Sequence, residues 1–367
     1  MTGITQIEQA SDCLKVTFSD GVTAAYDYFW LRDHATDCES YDARSHQREL
    51  YTASIDPGVV PICAELADGS VRVSWPGVGR EAIYSPDFLI AFRSSSADLL
   101  NPMSLGLSWN SKSTFDRATI SFDDALASSG EELGVRLAPN GFLLVTGCPL
   151  EEYSAQMVAQ KFGYVRHTLF GGIWTFSDNE AMADSAYTPK LLRPHTDGTY
   201  SHDAPGLQLL LCLHYEAEGG YSTLADGLRI YQQMQSEVPD LASVLMQVSV
   251  PGQYIGDGSH LRAERPVFRC DESGKLRQVS FNNYDRAPFR VEDELMQQFY
   301  RALRYFDQLA NDESMQWRRV LAPGEMIVFD NWRLLHGRTA YAGQRKMAGC
   351  YVNREDYESC LRTAQAY

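Results

Sequence analysis

Arg193-Pro194-His195-Thr196-Asp197 sets a histidine and a carboxylate two positions apart. Alternate side chains of an extended strand share a face, so His195 and Asp197 are placed to grip one metal ion together. A third donor, His336, follows Leu334 and Leu335 within Asn331-Trp332-Arg333-Leu334-Leu335-His336-Gly337-Arg338. Two histidines and one carboxylate on one face of a metal, with the other positions open, form the donor set of non-haem Fe(II) oxygenases. An HxD pair alone is a weak signal, because such pairs arise by chance. Its weight here comes from His336, which sits just past an apolar run and is flanked by arginines. Fe(II) needs a cosubstrate to supply electrons for splitting O2. 2-Oxoglutarate does this: its keto-acid end chelates iron, and its distal carboxylate needs a buried cation. A guanidinium holds a carboxylate bidentately, so Arg345 is the expected anchor, with Ser222 or Thr223 as hydroxyl partner and Leu192 alongside.

These residues need rigid elements to carry them. Gly141-Phe142-Leu143-Leu144-Val145, the run from Gly206 to Leu213, and Met326-Ile327-Val328-Phe329 are short apolar segments bounded by turn residues, and they predict buried strands. Leu295, Phe299, Leu303, Phe306 and Leu309 recur at helical spacing and predict a helix from about Val291 to Asn311. Residues 1–95 carry shorter strand signals: Leu14 to Phe18 ahead of a Ser19-Asp20-Gly21 turn, Ala24 to Leu31, and the alternating Ser70 to Trp75 that stops at Pro76-Gly77. Residues 96–118 show no clear period and are expected to be a connection, with residues 119–367 forming the larger domain. The expected fold is mainly β with helices: a double-stranded β-helix, or jelly roll, plus a small N-terminal β-rich domain.

The chain has 367 residues, 44% of them apolar, which is enough for a large core. A net charge of −16 argues against nonspecific nucleic-acid binding and against an anionic membrane surface. No secretory leader and no apolar run of membrane-spanning length is evident. The eight cysteines are scattered without a CxxC pair, which suits reduced thiols in a cytoplasm. A small-molecule substrate is the expected partner.

Several further motifs carry a resemblance that covers nearly the whole chain. They are Ala186-Tyr187-Thr188, His195-Thr196-Asp197, Pro205-Gly206-Leu207-Gln208-Leu209-Leu210, Gly219-Gly220 with Ser222, Asp226-Gly227, Phe281-Asn282-Asn283 and the stretch from Phe329 to Arg338, with Trp30-Leu31-Arg32-Asp33 near the start. The chain resembles the γ-butyrobetaine hydroxylase branch of the Fe(II)/2-oxoglutarate oxygenases, related to the taurine dioxygenase group. The resemblance implies Fe(II) on His195, Asp197 and His336, 2-oxoglutarate on Arg345, O2 as second cosubstrate, and a homodimer. Relatives bind zinc through a cysteine cluster after the WLRD motif. Here only Cys38 remains of that cluster, and a structural zinc site wants four N or S ligands, so no zinc is expected and His34 and His46 are read as surface or capping residues.

Substrates in this family carry a trimethylammonium group, which proteins hold over aromatic faces because it has no proton to donate. The resemblance places that cage on Phe170, Trp174, Tyr187 and Tyr351, with Asp184 as a supplement. In γ-butyrobetaine hydroxylases a tyrosine directly follows the HxD aspartate; here Gly198 takes that position. Space left by that tyrosine, together with Tyr200, Asn282, Asn283, Arg286 and Arg290, suggests a larger anion than a carboxylate. The expected substrate is therefore 2-(trimethylammonio)ethylphosphonate, with γ-butyrobetaine and trimethyllysine as the alternatives. A non-catalytic quaternary-ammonium binding protein and a zinc hydrolase are the readings from other classes.

Overall fold

Leu207, Leu209 and Leu211 point to one side of the strand Leu207–Gly219, and Gln208, Leu210 and Cys212 to the other, so each face of this strand has its own partner. The structure is a computed structural model that describes residues 2–94, 101–115, 117–176 and 188–365. The chain divides into two units, Met1–Leu99 and Leu100–Tyr367.

In the second unit Leu207–Gly219 lies inside a six-stranded sheet ordered Ile173–Phe176, Tyr341–Val352, Leu207–Gly219, Met326–Asp330, Phe142–Thr146, Thr119–Ser121. Pairing is antiparallel except at the last junction. The outward residues, including Leu143, Val145, Met326, Val328, Cys350 and Val352, pack against the helices Gly130–Leu137, Tyr153–Phe162 and Arg354–Gln365 through Leu133, Val158, Phe162, Tyr357 and Leu361. The inward residues Phe142, Leu144, Cys212, Ile327, Phe329 and Met347 meet Leu224 and Leu334 of a second sheet. That sheet has four strands, ordered Leu192–His195, Leu334–Arg338, Ser222–Asp226, Gln316–Arg319. Two facing sheets of this kind are the expected jelly roll. Burial on both faces explains why the strands read as continuous apolar runs rather than as alternating ones.

The outer side of the smaller sheet is covered by the helices Gly227–Glu237, Pro239–Gln247 and Asp293–Asn311, with Ala225 and Leu335 in the shared core. The longest helix starts two residues later than its apolar spacing predicts. Its first turn holds Asp293 and Glu294, whose charges favour a helix N-terminus. Part of the stretch read as a connection is packed into this unit. Asn101 Nδ2 donates to the Leu276 carbonyl at 2.8 Å, and the Trp109 indole donates to the Asn140 carbonyl at 2.8 Å. Arg333, 1% exposed, donates to both carboxylate oxygens of Asp226 at 2.9 and 3.0 Å and to the carbonyls of Leu107, Ala138 and Pro139.

The first unit contains two three-stranded antiparallel sheets, Ile4–Gln9 with Cys13–Phe18 and Thr23–Asp27, and Cys63–Ala67 with Ser70–Ser74 and Ala82–Tyr84. They share a core of Leu14, Val16, Phe18, Val71, Val73, Trp75 and Leu89. The strand expected to run on to Leu31 stops at Asp27, whose side chain accepts the Trp30 N–H at 2.9 Å and starts the helix Tyr28–Asp33. His34 stacks on Trp30 with 4.5 Å between rings, its Nδ1 lies 2.8 Å from the Trp30 carbonyl oxygen, and His46 Nδ1 lies 3.0 Å from the Tyr41 hydroxyl. Cys38 is exposed. No helix among the described residues is long and apolar enough to cross a membrane.

Candidate active site

His195 and His336 lie far apart in sequence, yet they are direct partners across the antiparallel pair Leu192–His195 and Leu334–Arg338, with 4.2 Å between ring centroids. Asp197 reaches them differently from the strand alternation expected. The strand ends at His195, and Asp197 lies in the following turn. Hydrogen bonds hold that turn: the Thr196 N–H donates to the Phe281 carbonyl at 2.7 Å, and the Asp197 N–H donates to Asn331 Oδ1 at 2.8 Å. The ligand atoms of His195, Asp197 and His336 all fall within 4.8 Å of one another. Asp197 Oδ1 lies 3.4 Å from His195 Nε2, and Oδ2 lies 3.6 Å from His336 Nε2.

The donor chemistry fits a divalent cation. His195 Nδ1 lies 2.8 Å from the Arg193 carbonyl oxygen, which places the proton on Nδ1 and leaves the Nε2 lone pair facing Asp197. Burial raises the Asp197 pKa, but His336, His195 and the Tyr351 hydroxyl outweigh it and hold the carboxyl well below its usual range. Burial pulls His195 down, and the Asp197 carboxylate overcomes it, so its net shift is upward. His336 is pushed down to about 3 by burial and by the charge on His195. An ionised carboxylate beside a neutral His336 ring is the protonation state that a divalent cation requires of its ligands.

The same cavity is lined by Leu192, Ser222, Thr223, Arg338 and Arg345. Strand register brings them together: Ser222 pairs with Arg338, Thr223 with Gly337, and Arg345 with Tyr215. Arg345 is 7% exposed, with its guanidinium 6.0 Å from the centre of the Phe176 ring and 5.9 Å from that of Tyr341. Burial first, then neighbouring Arg338, lower its pKa to about 10. A guanidinium keeps its proton at neutral pH, so the shift describes a buried charge with little to offset it. No carboxylate among the described residues lies within ion-pair distance of Arg345. Arg338 donates to the carbonyls of Thr188 and Lys190.

Phe170, Trp174 and Tyr351 line the same cavity, together with Tyr200 and Asn282. Trp174 lies 5.4 Å from Tyr351 and 5.7 Å from Phe176. Its ring fits because the residue opposite is Gly349, where a Cβ would come within 2.2 Å of the indole. Asp184 and Tyr187 fall outside the described residues. Three residues expected on the anion are not brought here. Asn282 Oδ1 accepts the Tyr284 N–H at 2.9 Å, and after that turn Asn283 and Arg286 border a separate cleft with Arg193 and Arg304. Arg290 is exposed and paired with Asp293 at 2.8 Å. Gly198 also has another explanation. Its φ of +74° is left-handed, and a Cβ there would come within 2.6 Å of Pro205 Cδ, so the turn itself demands glycine.

Four lining or supporting residues escaped the sequence reading. Arg338 had a signal, since it lies two residues after His336 on the same strand face. Gln208 had the same signal beside Leu210. Asp285 and Asn331 had none. Asp285 lines the cavity and accepts from Asn282 Nδ2 at 2.7 Å and from the Thr199 hydroxyl at 3.4 Å.

A jelly roll whose paired strands carry two histidines, with a carboxylate in the turn that follows and a buried arginine beside them, defines a non-haem iron oxygenase of the 2-oxoglutarate-dependent class. Residues 108–351 match the taurine catabolism dioxygenase TauD, TfdA family, and residues 5–90 match the γ-butyrobetaine hydroxylase-like N-terminal domain. The chain belongs to the TauD, TfdA family and is an Fe(II)/2-oxoglutarate-dependent dioxygenase. It is 31% identical to mouse mitochondrial trimethyllysine dioxygenase, covering 96% of this chain and 86% of that one. It is 28% identical to trimethyllysine dioxygenase of Meyerozyma guilliermondii, over 95% and 93%, and 27% identical to γ-butyrobetaine dioxygenase of Pseudomonas sp., over 96% and 94%. The crystal structure of an asparagine oxygenase with Fe(II), 3-hydroxyasparagine and succinate shares the fold, with a TM-score of 0.50 and 15% identity over 65% of this chain and 94% of that one.

Proposed function

We propose that this enzyme hydroxylates Nε-trimethyllysine, or a close analogue that joins a trimethylammonium group to an α-amino acid head. The observation that carries the choice is Asp285. A carboxylate lines the cavity beside Asn282, and Arg338 and Arg345 are the only Lys or Arg residues among its described lining, with Arg338 paired across strands to Ser222. Residues 177–187 contain no Lys or Arg either. A phosphonate dianion at Asp285 meets like charge, whereas an α-ammonium group meets an acceptor. Tyr200 and Asn282 supply neutral donors that suit a carboxylate. Similarity to trimethyllysine dioxygenases along both chains adds independent support.

In this reading His195, Asp197 and His336 hold Fe(II), which with 2-oxoglutarate and O2 supplies the chemistry of C–H hydroxylation, yielding succinate and CO2. Arg345 holds the distal carboxylate of 2-oxoglutarate, with Ser222 or Thr223 as hydroxyl partner and Leu192 packed against it. Phe170, Trp174, Tyr187 and Tyr351 hold the fixed cation, with Asp184 supplementing them. Gripping the substrate at both ends presents one C–H bond to the metal, so the protein's contribution is orientation. We further infer a cytoplasmic homodimer, the compartment supported by eight free cysteines.

Succinate formation compared across Nε-trimethyllysine, γ-butyrobetaine and 2-(trimethylammonio)ethylphosphonate tests the assignment. Trimethyllysine is expected to give the highest kcat/KM. Asp285→Asn, or Nα-acetylation of the substrate, is expected to lower it roughly 10- to 100-fold, the scale of one hydrogen bond to a charged group. Preference for the phosphonate, or indifference to both changes, would refute it.

A further inference from the structure

We propose that Tyr351 has a second role through its hydroxyl: it fixes the Asp197 carboxylate so that one oxygen, Oδ1, meets the metal. The proposal draws on the cage reading only for the ring of Tyr351. The Tyr351 hydroxyl donates to Asp197 Oδ2 at 2.7 Å, and the residue is 9% exposed. The main chain of Asp197 is already fixed on both sides. Asn331 Oδ1 accepts its N–H at 2.8 Å, while Asn331 Nδ2 donates to its carbonyl at 3.1 Å and to the Pro205 carbonyl at 3.0 Å. Asn331 is itself fully buried. What remains free is rotation of the carboxylate, and the Tyr351 hydroxyl removes it.

An oxygen that already accepts a phenol hydrogen bond is the poorer donor to a cation. Oδ1, 3.4 Å from His195 Nε2, is therefore left as the ligand. One-point attachment matters because a carboxylate bound through both oxygens would occupy a coordination position needed by 2-oxoglutarate or O2. The Tyr351 ring lies 5.4 Å from Trp174 in the cage. On the cage reading, a single side chain thus offers its ring face to the substrate's cation and its hydroxyl to the metal's carboxylate. Tyr351 is in this respect a positioning residue.

Tyr351→Phe keeps the ring and deletes the hydroxyl. Fe(II) or Mn(II) affinity is measured by anaerobic calorimetry on the full-length metal-free protein without substrate, and trimethyllysine affinity is measured separately at saturating metal. The expected result is metal binding weakened roughly 10- to 100-fold, the usual effect of losing a partner that orients a ligand, with substrate affinity changed by less than about threefold, since the π-face that attracts the cation remains. Trp174→Leu, which removes a π-face, is expected to show the reverse pattern. Unchanged metal affinity in Tyr351→Phe overturns the proposal, as does an equal loss of metal affinity in Trp174→Leu. If Trp174→Leu leaves substrate affinity intact, the cage reading fails, and the metal measurement still decides the role of the hydroxyl.

Discussion

Replacing Arg345 with methionine separates a cosubstrate anchor from a structural arginine. The side chain is 7% exposed, lies near Arg338, and has no carboxylate partner among the described residues. Removing one partner of a buried, hydrogen-bonded charge pair costs about 2–5 kcal/mol. Arg338 remains to hold part of the attraction, so the lower part of that range applies, about 2–3 kcal/mol or roughly 30- to 150-fold in affinity. Calorimetric titration of Mn(II)-loaded enzyme with 2-oxoglutarate, in the absence of oxygen, reads this loss directly. The same substitution is expected to leave the melting temperature of the cosubstrate-free protein unchanged or slightly higher, because it removes a buried charge and relieves repulsion from Arg338. Deleting one member of a structural ion pair instead costs about 3–5 kcal/mol. Arg345→Lys keeps the charge without the planar fork and should fall between. A change under threefold in 2-oxoglutarate affinity, or a collapse in melting temperature, would refute the assignment.

Gly198→Ala forces a side chain onto a left-handed residue, at about 1–2 kcal/mol, and drives its Cβ to 2.6 Å from Pro205 Cδ; a clear fall in melting temperature is expected, and no change would restore the reading of Gly198 as a vacancy for substrate. Arg333→Met leaves the buried Asp226 carboxylate without its bidentate partner; denaturant unfolding is expected to show a loss of about 3–5 kcal/mol, and a loss below 1 kcal/mol would contradict it. In thiol labelling of native enzyme at neutral pH, exposed Cys38 and Cys63 are expected to react first, whereas Cys148, Cys212 and Cys350 wait for unfolding, since burial raises their thiols to about 12, 11 and 12. Protection of Cys38 would mark it as engaged, by zinc for instance.

Strands with one partner on each face were legible because burial on both sides leaves a continuous apolar run, as from Leu207 to Leu213. His195 and His336 were legible as chemistry, and Arg338 should have been, from its two-residue spacing. Their adjacency is a matter of register between strands distant in sequence, which no local pattern records. Asp197 shows the limit more sharply. Strand alternation placed it beside His195, but a turn held by Asn331 does so instead. Arg286 and Arg290 were assigned by nearness in sequence to Asn282, and one tight turn at Asn282–Tyr284 was enough to send the following side chains elsewhere. Asp285, on which the proposed substrate rests, is one acid among 48 acidic residues and has no spacing that distinguishes it.

In the proposed reaction the metal held by His195, Asp197 and His336 couples decarboxylation of 2-oxoglutarate to hydroxylation of a trimethylammonium amino acid. Turnover of Nε-trimethyllysine under 18O2, with mass analysis of both products, tests it most directly. One labelled oxygen is expected in succinate and one in the hydroxylated substrate, with both lost in His336→Ala. Product oxygen drawn from water, or turnover that proceeds without 2-oxoglutarate, would contradict it.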